Sequence, residues 1–271
     1  MLGSGFTDTL GGQLKNYGFD VCVNPFGTLY NPASVLAAVK RLISKEQFTE
    51  AECVQIGAGD MRYCSYSHHT SFARTTEDEF LTNANQALEE AAEFFQSCNK
   101  VIITLGTSWC YRHIGRDMIV SNCLKHPASE YQREFLPAYQ TAGILAEIMN
   151  LCNSSDEAIT PKEFIFTVSP IRHFKDGAHG NQVSKASLLV GIDQALNTET
   201  ACKADYFPSY EIMMDELRDY RFYAEDMCHP TLQAVNYIRE RFLGWALPEK
   251  EHQTLEENIK IHKRLSHITT K

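Results

Sequence analysis

Apolar residues fall along this chain in two kinds of run. Short continuous ones, Lys100–Leu105 (KVIITL) and Glu163–Val168 (EFIFTV), are bounded by polar residues and read as strands buried on both faces. Longer stretches repeat apolar positions at helical spacing: 32–43, with Pro32 at a first-turn position, then 76–98, 184–196, and 231–242 after Pro230. Residues 7–17 predict a helix capped by Thr7 or Asp8 and weakened by Gly11 and Gly12. Residues 18–23 and Ala204–Phe207 read as short strands, 130–151 as one helix with Pro137 at its start or at a kink, and 210–219 as a further short helix. The stretch 54–72, rich in Gly, Ser, Tyr and His, has weak periodicity and reads as a long loop with room for a hairpin.

Strands that alternate with helices predict an α/β fold, a mostly parallel sheet covered on both faces. Such sheets place their sites where strands end in loops, at the carboxyl edge. Five polar clusters are expected there: Ser4, Asn24 to Gly27, Gly106 to Trp109, Ser169 to His173, and Asp226 to His229. One domain is expected over residues 1–247. Residues 248–271, charged and without glycine, read as an appended, partly solvated helix.

Candidate chemistry lies at the two ends. Gly3-Ser4-Gly5-Phe6-Thr7 offers a serine at a strand-to-helix turn, and Glu225-Asp226-Met227-Cys228-His229-Pro230 offers an Asp three residues before a His. That spacing lets a carboxylate hold one imidazole nitrogen while the other serves a serine nucleophile. The plainer role for Ser4 is a helix cap. Only Met1 and Leu2 precede this turn, so the first strand is either very short or belongs to a truncated form of a longer product.

GSGFT, followed by NPFGTLYNP, TLGTSW, SNCLK, SPIRH, DGAHGNQVSKA and EDMCHP, resembles the GSCFA family, a bacterial branch similar to the SGNH (GDSL-like) hydrolases, over about residues 3–243. The resemblance implies a flavodoxin-like three-layer α/β/α fold. It also implies a triad in which Ser4 attacks an acyl carbonyl, His229 takes and returns the proton, and Asp226 fixes the tautomer. Two departures stand out. Gly5 replaces the Cys of the family motif, and Thr107 or Ser108 stands where SGNH enzymes place an oxyanion-binding Asn; Asn122 is an alternative donor, and Gly27 matches the backbone donor of the second block. Arg172 and His173, after a strand end, suit a carboxylate or phosphate on the substrate, and His173 is a rival base. His68 and His69 are expected to line the pocket or pack beneath it. The aromatic group Tyr206, Phe207, Tyr210, Tyr220, Phe222 and Tyr223 is expected in core and rim, where it would wall an acyl pocket beside His229.

Composition narrows the partners. A length of 271 residues with 44% hydrophobic and 22% charged residues suits one globular domain, and a net charge of −9 without a basic patch argues against nucleic acid or an anionic membrane. The nine cysteines are scattered without a C-x-x-C pair and read as reduced thiols, and no leader or membrane-spanning run is visible. A cytoplasmic location follows if Met1 is the natural start. The histidines lack metal-pair spacing and there is no P-loop, so neither metal nor cofactor is expected. The expected function is a serine hydrolase acting on small or carbohydrate-linked acyl esters. The alternatives are an acyltransferase with the same triad and a degenerate hydrolase that only binds its ligand.

Overall fold

The computed structural model describes residues 1–153, 159–198 and 202–269, with side chains to residue 267. In chain order the first half contains β1 (Leu2–Gly3), α1 (Gly5–Asn16), α2 (Pro32–Ser44), β2 (Val54–Gln55), β3 (Tyr63–Cys64), α3 (Glu77–Ser97) and β4 (Lys100–Leu105). Next come β5 (Trp109–His113), β6 (Met118–Val120), β7 (Tyr131–Phe135), α4 (Ala138–Cys152), β8 (Glu163–Val168), α5 (Gly177–Leu196) and β9 (Ala204–Phe207). The chain closes with a short α6 (Ser209–Glu211) that runs into a π-helical turn, then α7 (Leu232–Ala246) and α8 (His252–Thr269).

Four strands form a parallel sheet in the order β1-β4-β8-β9, with Lys100 opposite Glu163 and Leu105 opposite Val168. Strand alternation sorts its side chains to two faces. Val101, Ile103 and Leu105, with Phe164, Phe166 and Val168, pack under α2, α3, α4 and α5. The intervening Ile102 and Ile165 join Phe207 under α1 and α7. The chain is therefore an α/β protein of three layers, as its alternating pattern predicts.

Several local expectations change. Residues 18–23 form no regular strand, yet residues beside them lie along the free edge of β1: Asn24 N–H donates to Met1 O at 3.0 Å, and Leu29 N–H donates to Gly3 O at 2.8 Å. The loop 54–72 does contain a hairpin, β2 with β3. The helix expected over 130–151 is really β7 followed by α4, with Pro137 as the α4 N-cap. β7 belongs to a separate antiparallel sheet, β6-β5-β7, inserted between β4 and α4, so β4 does not lead directly into a helix. α1 begins at Gly5 with Ser4 as its N-cap, ahead of Thr7, and α5 begins at Gly177, ahead of Ser184. The final helix packs on the first: Leu255 is buried, Asn258 Nδ2 donates to Tyr17 O at 2.9 Å, and the Tyr17 and His262 rings meet edge to face. Among the described residues, no helix is long and apolar enough to cross a membrane.

Candidate functional site

Ser4 sits where the end of β1 turns into α1. The approach is tight because Gly3 has φ +146°, a conformation L side chains rarely adopt, and a Cβ on it would lie 2.2 Å from Thr104 O of β4. Asn24 holds the same turn from the other side: its Oδ1 accepts from Gly3 N–H at 2.8 Å, and its Nδ2 donates to Asp8 at 2.7 Å. Ser4 has the extended backbone of an N-cap, φ −70° and ψ 177°, but its side chain makes no capping hydrogen bond. Its Oγ instead donates to Ser169 Oγ, just past β8, at 3.0 Å, and the residue is only 2% exposed. The hydroxyl is thus withheld from the capping role that the plainer reading assigns it.

The Asp226–His229 pair forms within a turn closed by the bridge of Tyr223 with Pro230 and by Ala224 N–H donating to His229 O at 2.8 Å. Asp226 Oδ1 accepts from the backbone N–H groups of Cys228 and His229, each at 2.9 Å, and Oδ2 lies 2.5 Å from His229 Nδ1. Those two N–H donors, with the ring, pull the Asp226 carboxyl down to about 2. The carboxylate is therefore ionised at neutral pH and fixes Nδ1, leaving Nε2 free to act. Both side chains are well exposed, 60% for His229 and 49% for Asp226. Among the described residues no hydrogen bond joins His229 to Ser4, whose hydroxyl is on Ser169.

Ser4, Asp226 and His229 all border one open cleft of about 840 Å³, together with Thr107, Asn122, His69, Arg172 and His173. Two candidates lie elsewhere. Gly27 N–H is taken by Asn24 O at 2.8 Å and its Cα backs onto His69, so the backbone donor assigned to it is spent on a turn. Ser108 is buried, with both its N–H and its Oγ bonded to Ser184 at 2.8 and 2.9 Å. Thr107 Oγ1 pairs with Ser184 Oγ at 3.0 Å and accepts from Trp109 N–H. Asn122 Oδ1 accepts from Leu124 N–H at 2.8 Å, which leaves its Nδ2 as the donor for a ligand. Asn122 and the first residues of α1, Gly5 and Phe6, border the cleft alongside Ser4. A Cβ on Gly5 would meet nothing within 4 Å, so the site does not require glycine there.

The aromatic wall of the cleft also differs from expectation. It is Trp109 and Tyr111 of β5, with Phe6, Tyr30 and Phe174, and none of the Tyr206-to-Tyr223 group borders it. Sequence reading placed Ser169 at the site edge without giving it a role and passed over Lys185, although both stand in the quoted motifs. Lys185 is buried, and its Nζ donates to Gly106 O at 2.7 Å and Ser169 O at 3.0 Å. It ties the ends of β4 and β8 together directly beneath the cleft. Burial alone pushes its ammonium down to about 7. A lone lysine among the small and apolar residues of 184–192, with no acidic residue three or four positions away, was the available signal. Among the described residues, no group of three or more His, Cys, Asp or Glu side chains could hold a metal ion.

Two histidines behave differently from the exposed pair. His68 is enclosed by the rings of Phe26, Phe48, Phe72 and Phe80, and burial holds it down to about 3. His173 is held to about 4, by burial first and by the charge of Lys185 second. Both stay neutral when folded but take up protons near 6.5 when unfolded. Their contribution to stability is therefore complete above pH 6.5 and is lost as pH falls towards 4, because the unfolded chain binds more protons in that window. Urea melts at pH 7 and pH 5 should show this loss, and His68→Gln should flatten the slope. An unchanged slope in that variant would mean that His68 is not the group responsible.

Comparison with known proteins agrees with the motif pattern. No curated protein and no solved structure matches the chain. The GSCFA family model matches residues 1–242, most of the chain and every residue of the cleft described above, and the protein belongs to the GSCFA family.

Proposed function

We propose that this protein is a serine hydrolase of acyl esters, related in mechanism to the SGNH hydrolases, with Ser4 as nucleophile, His229 as general base and Asp226 as its orienting carboxylate. One observation carries this reading: a buried serine hydroxyl not used as a cap shares a cleft with an imidazole whose far nitrogen is fixed by an ionised carboxylate. Ser4 Oγ would leave Ser169 by rotation about Cα–Cβ and attack the acyl carbon as its proton passes to His229 Nε2. The carbonyl oxygen becomes the oxyanion, bonded by Asn122 Nδ2 and first-turn N–H groups of α1. Collapse returns the proton to the departing alcohol and leaves an acyl group on Ser4. Water activated by His229 then releases the acid and restores the serine. The nine cysteines are scattered along the chain without a C-x-x-C pair, which supports a reducing, cytoplasmic setting.

The exposure of His229 and its lack of a bond to Ser4 favour one competing reading, a cleft that binds without turning over. A fluorophosphonate probe separates the two. We expect covalent labelling of Ser4, located by peptide mass spectrometry, absent in Ser4→Ala and much slower in His229→Ala. A folded wild-type protein left unlabelled at Ser4 would establish the binding-only reading.

A further inference from the structure

The cleft is lined by two cations, Arg172 and Lys175, that no carboxylate neutralises among the described residues. Arg172 is half-buried, yet among the described residues it takes part in no ion pair. Its guanidinium lies 4.3 Å from the centre of the Tyr223 ring, with Nη2 against Met214 Sδ at 3.8 Å. Its backbone N–H donates to Cys228 O at 3.2 Å, which ties it to the turn carrying Asp226 and His229. Lys175, exposed, donates from Nζ to Tyr111 OH at 2.6 Å and stands 5.1 Å from that ring's centre, again without a carboxylate. Arg133 offers the contrast: it lines the same cleft and is neutralised by Asp176.

A partly desolvated cation is costly unless an opposite charge meets it, and an aromatic face meets that cost only in part. In a chain of net charge −9, acidic partners are plentiful, yet these two side chains rest on rings while both residues line the cleft. His173 does not share this task. Its ring stays neutral and its Nε2 is buried, so the sequence pair Arg172 and His173 gives way to Arg172 and Lys175.

The geometry points to a substrate whose non-reacting part carries an oxyanion, a carboxylate or a phosphate, gripped by Arg172 and Lys175 while an apolar portion lies along Trp109 and Tyr111. Arg172 supplies a planar fork that matches either oxyanion in two-point fashion, and Lys175 supplies a point charge. This rests on the reading of the cleft as the substrate site.

Binding to the Ser4→Ala protein tests it without turnover. Isothermal titration would compare 3-phenylpropionate and 2-phenylethyl phosphate with the neutral 3-phenylpropanol. At least one anion should bind about tenfold or more tighter than the alcohol, the scale of one charge-assisted hydrogen bond, and should weaken with added salt. The tighter anion identifies the group recognised. Arg172→Gln and Lys175→Gln should each reduce the preference, and the double variant should abolish it. Lys175 is exposed, so its variant tests the site even if loss of Arg172 from Tyr223 harms folding, which circular dichroism will show. Equal affinity for the alcohol and both anions, or a preference that survives in Lys175→Gln and in a folded double variant, would overturn the proposal. Ser4 labelling without anion preference would discard the substrate class alone, and anion preference without labelling would discard the hydrolase chemistry alone.

Discussion

Replacing Ser4 with alanine is expected to lower kcat for ester hydrolysis by about 10⁴-fold or more, the scale on which removal of a nucleophile acts. His229→Ala should act on a similar scale, and the double variant should be little worse than either, because members of one catalytic unit are strongly non-additive. The resting hydrogen bond from Ser4 to Ser169 adds a control. If Ser169 only parks the hydroxyl, Ser169→Ala should leave kcat within about tenfold, since a neutral hydrogen bond contributes about 1 kcal/mol. The measurement is initial rate against a chromogenic short-chain ester, on protein shown to be folded. Retention of activity by His229→Ala together with its loss in His173→Ala would transfer the base role to His173, which lines the same cleft.

Gly3→Ala should destabilise the protein by about 3 kcal/mol or more, the range of severe overpacking and strained backbone. The added methyl would stand 2.2 Å from Thr104 O, a backbone atom of a buried strand that cannot swing aside, and the residue would keep φ +146°. Relief requires β1 to separate from β4, and Ser4 N–H lies 3.3 Å from the same Thr104 O. A weakened fold and a misplaced nucleophile should therefore appear together. Urea denaturation measures the first, and fluorophosphonate labelling of the folded fraction measures the second. Wild-type stability in Gly3→Ala would show that the two strands can part without cost. Gly5→Ala makes a matched comparison, since its Cβ meets open space.

The parallel sheet was legible because β4 and β8 are continuous apolar runs, as strands covered on both faces must be. The helix after Thr76 was equally legible, with its capping box of Thr76 and Glu79 and a long apolar stripe. β7 was not legible. Tyr131 and Phe135 stand four apart and fit a helical stripe, while Gln132 and Glu134 look like its solvated side. In the structure those residues alternate across a strand, and Arg133 lies over Trp109 of β5, a cross-strand contact that no local pattern reveals. The start of α5 was hidden by Gly177 and Gly180, which read as loop. Within the site, the Asp226–His229 pair was legible because its three-residue spacing encodes its geometry, and Ser4 stood out through its own short motif at a strand-to-helix turn. Ser169 and Lys185 act across strand ends, through contacts 165 and 79 residues apart in the chain, and one-dimensional spacing does not report such pairings.

The small sheet β6-β5-β7 leaves the main fold after Thr107 and rejoins it before Pro137. Its two ends lie close together, since Leu136 N–H donates to Ser108 O at 2.9 Å. An excursion that starts and finishes at one place can grow, shrink or be exchanged without altering the pairing of β4 with β8, because loop length adds only slowly to the cost of closure. Trp109, Tyr111 and Arg133 all ride on this excursion, whereas Ser4 and Ser169 sit directly at strand ends of the main sheet. Change in what the protein accepts can therefore accumulate in one inserted segment while Ser4 and Ser169 stay at strand ends of the core, and a graft of residues 108–136 between two homologues would exchange preference, together with the donor Asn122, and leave the nucleophile in place.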